Sequence, residues 1–396
     1  MKKVLISLLL MLLASPVFAA VSVSQQVYDV VASSQKMIKE GLYQQAIKQL
    51  KPLLNPDKPK QNALIYQYLG YSYLSQKKYH QAISAYNACL KTNVLSAAEK
   101  QDIQQQVAYL YFSTQQYRKV ITALTHYKRG LKQNLSADLS ILLAQAYIKM
   151  NEQTLAVAVI QGVIARTKNA PLSWYELLLS LHIESNQVSK SIAVLKKMIL
   201  RAPETLRYWQ QLTQLYLQSK NQKKALATWS LAQKNGLFTA KTHWELQAQL
   251  YYQNKQPYEA AMTLVRGAKV KQLKTSFNHY QQLSSYWLAA KEIDKAIAVQ
   301  IILAKRSKKG LHAFTLGQLY YSEQKWQKAV SAFELSLKKG ANNNKHEAYL
   351  LIGFSRLKLG QLQQAKVAFL EAQKNPETAD VARYWSAKIV TGAQNI

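Results

Sequence analysis

A single cysteine stands in the 396 residues, with 12 glycines, 8 prolines and 7 histidines. One thiol cannot close an internal disulfide, so no disulfide framework holds this chain. A Gly-rich phosphate loop, an H-E-x-x-H zinc signature, a C-x-x-C pair and a G-x-S-x-G elbow are all missing. Catalysis therefore has no residues to start from, and no catalytic residue, cofactor or metal is expected. Acidic side chains are scarce as well: 20 Asp and Glu face 52 Lys and Arg, a formal charge of +32.

What is abundant is a period. Leu206 to Leu237 reads as two helices folded back on each other across Lys220-Asn221-Gln222. Trp209, Leu212, Thr213 and Tyr216 share one face of the first, and Ala225, Trp229 and Ala232 one face of the second. The same unit recurs ten times when aligned on a small residue opening the second helix: Ala46, Ala82, Val120, Ala156, Ser191, Ala225, Ala260, Ala296, Ala329 and Ala365. These anchors are spaced 33 to 38 residues apart. Twelve positions earlier, where two helices must nearly touch, nine of ten residues are small, among them Gly70, Ala108, Thr213, Gly317 and Gly353. Nine positions before the anchor, seven of ten are aromatic, and they are expected to fill the space the small residues leave. One helical hairpin cannot bury its apolar face alone, whereas stacked neighbours share a continuous core.

Glycine and proline punctuate these boundaries. Gly130, Gly236, Gly310 and Gly340 follow second helices, where left-handed C-caps are expected. Pro56, Pro59, Pro171, Pro203 and Pro376 fall between repeats, Pro257 within a turn, and Pro52 in the last turn of a helix. The linker Asn55 to Pro59 reads as the weak point of the array. Thr378 to Ile389 reads as a capping helix, within a terminal segment 376–396 of cap and tail.

At the other end, Lys2-Lys3, an apolar run from Val4 to Ala14 and the exit Pro16-Val17-Phe18-Ala19 have the build of a secretory leader. Eleven apolar residues fall short of the roughly 20 that a membrane span needs. Cleavage is expected after Ala19, making 1–19 a signal peptide and 20–375 the solenoid; an uncleaved anchor is the alternative. Export from a Gram-negative cell would place the chain in the periplasm, away from nucleic acid.

The order W-x2-L-[small]-x2-Y, then A-x3-[aromatic]-x2-A, resembles the tetratricopeptide (TPR) repeat. The resemblance covers Val27 to about Asn375 and implies an all-α fold: a right-handed TPR superhelix, or α-solenoid, of about ten helical hairpins plus the capping helix. It further implies that first helices line a concave groove whose exposed positions contact a ligand. Carried onto this chain, those positions hold Gln67, Tyr71, Gln105, Tyr109, Gln145, Glu176 and Glu184. They continue with Gln210, Gln214, Glu245, Gln249, Tyr252, Gln281, Gln318 and Tyr321. Amides and phenols suit an extended polypeptide, and they suit a polysaccharide equally; an ordinary solvated lining is the third reading. The Lys/Asn/Arg set with which chaperone-binding TPR domains hold a C-terminal carboxylate is absent.

Three stretches, E-G-L-Y-Q-Q-A-I-K-Q-L from Glu40, S-W-Y-E-L-L-L-S-L from Ser173 and K-K-A-L-A-T-W-S-L-A-Q-K-N-G-L from Lys223, carry a closer likeness. They are similar to exported TPR proteins associated with TonB–ExbB–ExbD energy-transduction systems of marine gammaproteobacteria. That resemblance implies a non-enzymatic periplasmic adaptor touching TonB-system components. A scaffold for polysaccharide or cell-wall polymer is the competing class.

Three further features stand out in the sequence. Cations gather at second-helix ends, as at Lys128-Arg129, Arg166, Lys196-Lys197, Lys234, Arg266, Lys269, Lys305-Arg306, Lys338-Lys339 and Lys374. A basic edge follows, either attracting an anionic envelope surface or merely complementing helix dipoles. His243, His279 and His312 share one register, which elsewhere holds Ile65, Ile103 and Leu139, so they are expected to pack rather than ligate; Cys89 likewise falls at a core position. Repeat five departs from pattern with Leu179, His182 and Ser191, by drift or by a change of curvature.

Overall fold

The computed structural model describes residues 24–130, 134–340 and 344–390. The leader with its cleavage site, and the final residues of the tail, lie outside them. Among the described residues the chain is helical throughout, with no strand. Helices α1 (Gln25–Lys39), α2 (Tyr43–Leu50), α3 (Pro59–Ser75), α4 (Tyr79–Lys91) and α5 (Ala97–Ser113) come first. Then follow α6 (Tyr117–Gly130), α7 (Ala137–Lys149), α8 (Gln153–Arg166), α9 (Leu172–Glu184) and α10 (Val188–Arg201). Next are α11 (Leu206–Gln218), α12 (Gln222–Lys234), α13 (Lys241–Gln253), α14 (Pro257–Lys269), α15 (Phe277–Ala289) and α16 (Ile293–Arg306). The last are α17 (Leu311–Ser322), α18 (Trp326–Lys338), α19 (Lys345–Lys358), α20 (Leu362–Ala372) and the cap α21 (Pro376–Val390). Within each unit successive odd and even helices pair as hairpins, a TPR-like solenoid. The chain divides into two compact units, Met1–Gln187 and Val188–Ile396, and the division falls inside repeat five between α9 and α10.

Every anchor from Ala46 to Ala365 is fully buried. Its companion is not the one expected. A Cβ added at Gly70, Gly317 or Gly353 would strike the ring of Tyr86, Phe333 or Phe369, each four residues past its anchor. The second helix therefore fills the space over the small residue. The aromatic residues nine before the anchor sit at the hairpin turn instead. Several carry a lysine over the ring: Lys119 over Tyr111, Lys224 over Tyr216, Lys295 over Trp287 and Lys328 over Tyr320, at 4.7–5.9 Å for the four. Each lysine immediately precedes its anchor, one helical turn beyond the hairpin.

That turn is the same in all repeats. Ten residues, each five before its anchor, have positive φ, yet only Gly41 and Gly360 are glycines; the others include Lys77, Gln115, Asn151 and Lys220. Around Lys77 the Lys77 N–H donates to the Leu74 carbonyl at 2.8 Å and the Lys78 N–H to the Tyr73 carbonyl at 2.9 Å. This paired closure is the Schellman motif, and the same pair recurs around Lys220 and Lys255. A side chain held left-handed costs about 1 kcal/mol or more, which closure by two backbone bonds per turn offsets.

Glycine and proline punctuate the helices differently from what their spacing suggests. Gly236 and Gly340 are left-handed C-caps, but Gly310 is the N-cap of α17 at φ −70° and Gly130 is the last residue of α6. Pro52 ends no α-helix, because α2 gives way at Leu50 to a 3₁₀ turn spanning Lys51–Leu53. The linker after it is tied down. Buried Asn62 accepts from the Asn55 N–H at 2.9 Å and donates back to the Asn55 carbonyl, while Gln61 donates to Leu53 O at 2.6 Å. Cys89 is fully buried, its thiol donating to Ala63 O at 3.1 Å.

Candidate functional site

The odd-numbered helices each bury one side against their partners and leave another side outward. On α11, Trp209, Leu212, Thr213 and Tyr216 are core, and Gln210 and Gln214 between them are exposed. The 3.6-residue period forces this alternation. The same geometry places Gln249 and Tyr252 of α13, Gln281 of α15 and Gln318 of α17 in solvent, with Glu245 and Tyr321 half-buried. All of these belong to the second unit. The side-chain amides of Gln210, Gln214 and Gln249 make no hydrogen bond among the described residues.

Neighbouring first helices touch across this face. Gln281 Nε2 lies 3.4 Å from His312 Nε2 on the next first helix, and Gln318 Nε2 reaches Glu347 Oε1 at 3.5 Å. The Tyr252 and Tyr286 rings lie 4.9 Å apart at 34°. Glu245 is paired with Lys241 at 3.2 Å. The second unit thus presents amide and phenol groups in adjoining rows, and its one carboxylate from the expected set is already neutralised.

The first unit is less open. Gln67, Tyr71, Gln105, Tyr109, Gln145 and Glu176 are half-buried, and Glu184 is exposed with its carboxylate 3.5 Å from Gln153 Nε2. Burial, with Asp138 nearby, raises the Tyr109 phenol above its usual range. Glu176 and Glu184 belong to this unit and Glu245 to the other.

A polar network in repeat eight escaped the sequence. Four residues past nine of the anchors the side chain is apolar or aromatic; in repeat eight it is Gln300. Buried Gln300 donates to Ser284 Oγ at 3.0 Å and faces His312 Nδ1 at 3.2 Å. His312 in turn meets Gln281, so a core amide orients a surface one. The signal was present as a lone polar residue in an apolar register.

The other two histidines pack as expected. His243 Nδ1 accepts the backbone N–H of Thr239 and Ala240 at 3.2 and 3.3 Å, closing the start of α13. His279 is buried on α15. Burial lowers the pKa of all three. Among the described residues no three metal-ligating side chains converge, and no helix is long and apolar enough to cross a membrane. An open hollow of about 480 Å³ lies between the turns of repeats seven and eight, lined by Lys255, Pro257, Tyr258 and Lys291.

The basic second-helix ends split into two kinds. Arg166 donates to Leu135 O and Ser140 Oγ, Arg306 to Thr275 O, and Lys339 to Ala304 O and Ser307 O. These cations hold the linker before them, and Arg266 and Lys374 pair with Glu259 and Glu371. Lys128, Lys196, Lys197, Lys234, Lys269, Lys305 and Lys338 are exposed, while the Arg129 side chain lies outside the described set.

Family models for the tetratricopeptide repeat match residues 63–93 and 347–378, which fall in repeats two and ten. A model described as ChAPs (Chs5p-Arf1p-binding proteins) matches residues 107–232. No curated protein matches. Among solved structures, one titled Naa15/Naa10 bound to HypK-THB is similar at 11% identity and TM-score 0.44, covering 92% of this chain and 66% of that one. YrrB, titled a TPR protein with an unusual peptide-binding site, is similar at 14% identity and TM-score 0.36, covering 48% and 96%. A tetratricopeptide repeat protein from Parabacteroides merdae is similar at 13% and 0.31, covering 64% and 98%.

Proposed function

We propose that this tetratricopeptide repeat chain is a non-enzymatic scaffold that holds a protein partner, as an extended segment, on its first-helix face. One observation carries the reading: α11, α13 and α17 each present an exposed amide eleven residues before the anchor (Gln214, Gln249, Gln318), and α15 presents Gln281 one helical turn earlier, while their opposite sides are core. Side-chain amides donate and accept at once, so a row of them can pair with the alternating N–H and C=O of an extended backbone. Tyr252 offers a flat apolar surface beside them. Finer still, the leader and the quoted likeness support an exported, periplasmic adaptor of a TonB-dependent uptake system.

A photoreactive residue placed at Gln214 or Gln249 should trap a polypeptide in living cells, and the same residue at Lys223 on α12 should not. Recovery of glycan at Gln214, with a matching change in intrinsic fluorescence on adding soluble glycan, would replace this reading with a carbohydrate one. Cell fractionation tests the compartment separately, since a cytoplasmic protein would end the TonB assignment and leave the scaffold.

A further inference from the structure

The edge of the second unit where even helices hand over to odd ones carries chemistry unlike the rest of the surface. No carboxylate occurs from residue 260 to 291 or from 295 to 322, two stretches that contain successive linkers. The first linker region holds Lys269, Lys271 and Lys274, all exposed; the second holds Lys305, Arg306, Lys308 and Lys309. Arg306 is held by Thr275 O and lies 5.0 Å from the Tyr280 ring. The amines of Lys269, Lys271, Lys308 and Lys309, by contrast, have no partner among the described residues. Complementing helix dipoles does not explain them, because Lys271, Lys308 and Lys309 stand beyond the helix ends.

Aliphatic side chains stand out between these cations. Val270 is 53% exposed between Lys269 and Lys271, and Leu311 is 57% exposed just after Lys308 and Lys309. At the linker after α10, Leu200 is 83% exposed between Lys197 and Arg201. Hairpin topology puts these three tips on one edge of the unit, since each lies where an even helix ends or an odd one begins.

We propose that this edge docks on the surface of a phospholipid bilayer with anionic headgroups. Lysine amines would pair with phosphates while the isolated aliphatic tips enter the headgroup–acyl boundary, as interfacial protein segments do. A soluble acidic protein would satisfy the amines and leave single aliphatic tips, each ringed by cations, without a matching surface. The edge is separate from the amide face, so both can be occupied together.

The test is sedimentation of the purified full-length protein with vesicles of phosphatidylcholine alone or with added phosphatidylglycerol. Every variant carries the same N-terminus, so any contribution of the leader cancels. Wild type should sediment with the anionic vesicles and stay soluble with the neutral ones. The variant Lys269→Gln, Lys271→Gln, Lys308→Gln, Lys309→Gln should bind them at least about tenfold more weakly, at roughly one factor of five per charge before screening. The variant Leu200→Ser, Val270→Ser, Leu311→Ser should keep binding at low salt and lose the fraction that persists at high salt. Equal binding to both vesicle types, or no loss in the lysine variant, would overturn the proposal. So would capture of a soluble polyglutamate chain with no vesicle binding, which would point to an acidic protein instead. Unchanged circular dichroism guards against unfolding, and all seven side chains lie at the surface.

Discussion

Gly317→Ala tests the helix contact on which the repeat depends. The added Cβ would lie 2.5 Å from Phe333 Cδ1 and 2.6 Å from Cε1. Carbon pairs rest at roughly 3.5–4.0 Å, so the ring or the helix must yield by about 1 Å. Phe333 has nowhere to go, being fully buried with Phe314 at 5.6 Å between ring centroids. Such overpacking costs about 1–3 kcal/mol. Against it, alanine is worth ~1 kcal/mol over glycine inside a helix. Packing should win by about 1 kcal/mol, so the urea midpoint falls and amide exchange quickens in α17 and α18 before it does elsewhere. The chain itself indicates the rescue: glycine faces an aromatic ring in Gly70/Tyr86, Gly317/Phe333 and Gly353/Phe369, and at the equivalent positions alanine goes with an aliphatic in Ala108/Leu124, Ala144/Ile160 and Ala248/Leu264. Adding Phe333→Leu should therefore recover most of the loss, with a coupling of about 1 kcal/mol in the double-mutant cycle. An increase in stability for Gly317→Ala, or additive effects in the cycle, would refute this account of the packing.

Three other perturbations follow from the same structure. Lys220→Gly should raise stability by about 0.5–1 kcal/mol, because glycine takes the left-handed turn without strain; a lower urea midpoint would contradict it. Burial lowers the folded-state pKa of His243, and its Nδ1 accepts backbone bonds only when unprotonated. Stability is then complete above the unfolded pKa of about 6.5 and is lost as pH falls from there through the lowered folded value. Melting from pH 7.5 to 5 should show the decline, less steeply in His243→Gln, which can still cap. Burial pushes the Cys89 thiol up to about 12, so a thiol reagent should label it only when repeat two opens; prompt labelling of native protein would place Cys89 outside the core.

Period and boundaries were legible because stacking demands one small, fully buried anchor per hairpin, and ten such residues recur. The partner of each small residue was written in the same sequence but assigned to the wrong aromatic. Both candidates lie on the hydrophobic side, and only the helix crossing puts Tyr86 rather than Tyr73 over Gly70. Left-handed turns at Lys77, Gln115 and Lys220 gave no glycine signal, since two backbone bonds, not residue type, hold them. Gln61 and Asn62 tie the linker they follow, a role that no pattern in the sequence marks. The candidate face came from the resemblance alone, which proposes positions along each first helix. It could not show that Tyr71 and Tyr109 would be half-buried while Gln210 and Gln214 stand in solvent, because neighbouring repeats decide that.

The scaffold reading meets its most direct test in crosslinking within living cells, followed by purification of the tagged protein. Wild type would be compared with a Gln210→Ala, Gln214→Ala, Gln249→Ala, Tyr252→Ala variant. The account predicts that a polypeptide partner, TonB-system components in its finer form, is recovered with wild type and lost with the variant while the fold is unchanged. Equal recovery by both proteins would show that the amide face does not hold the partner.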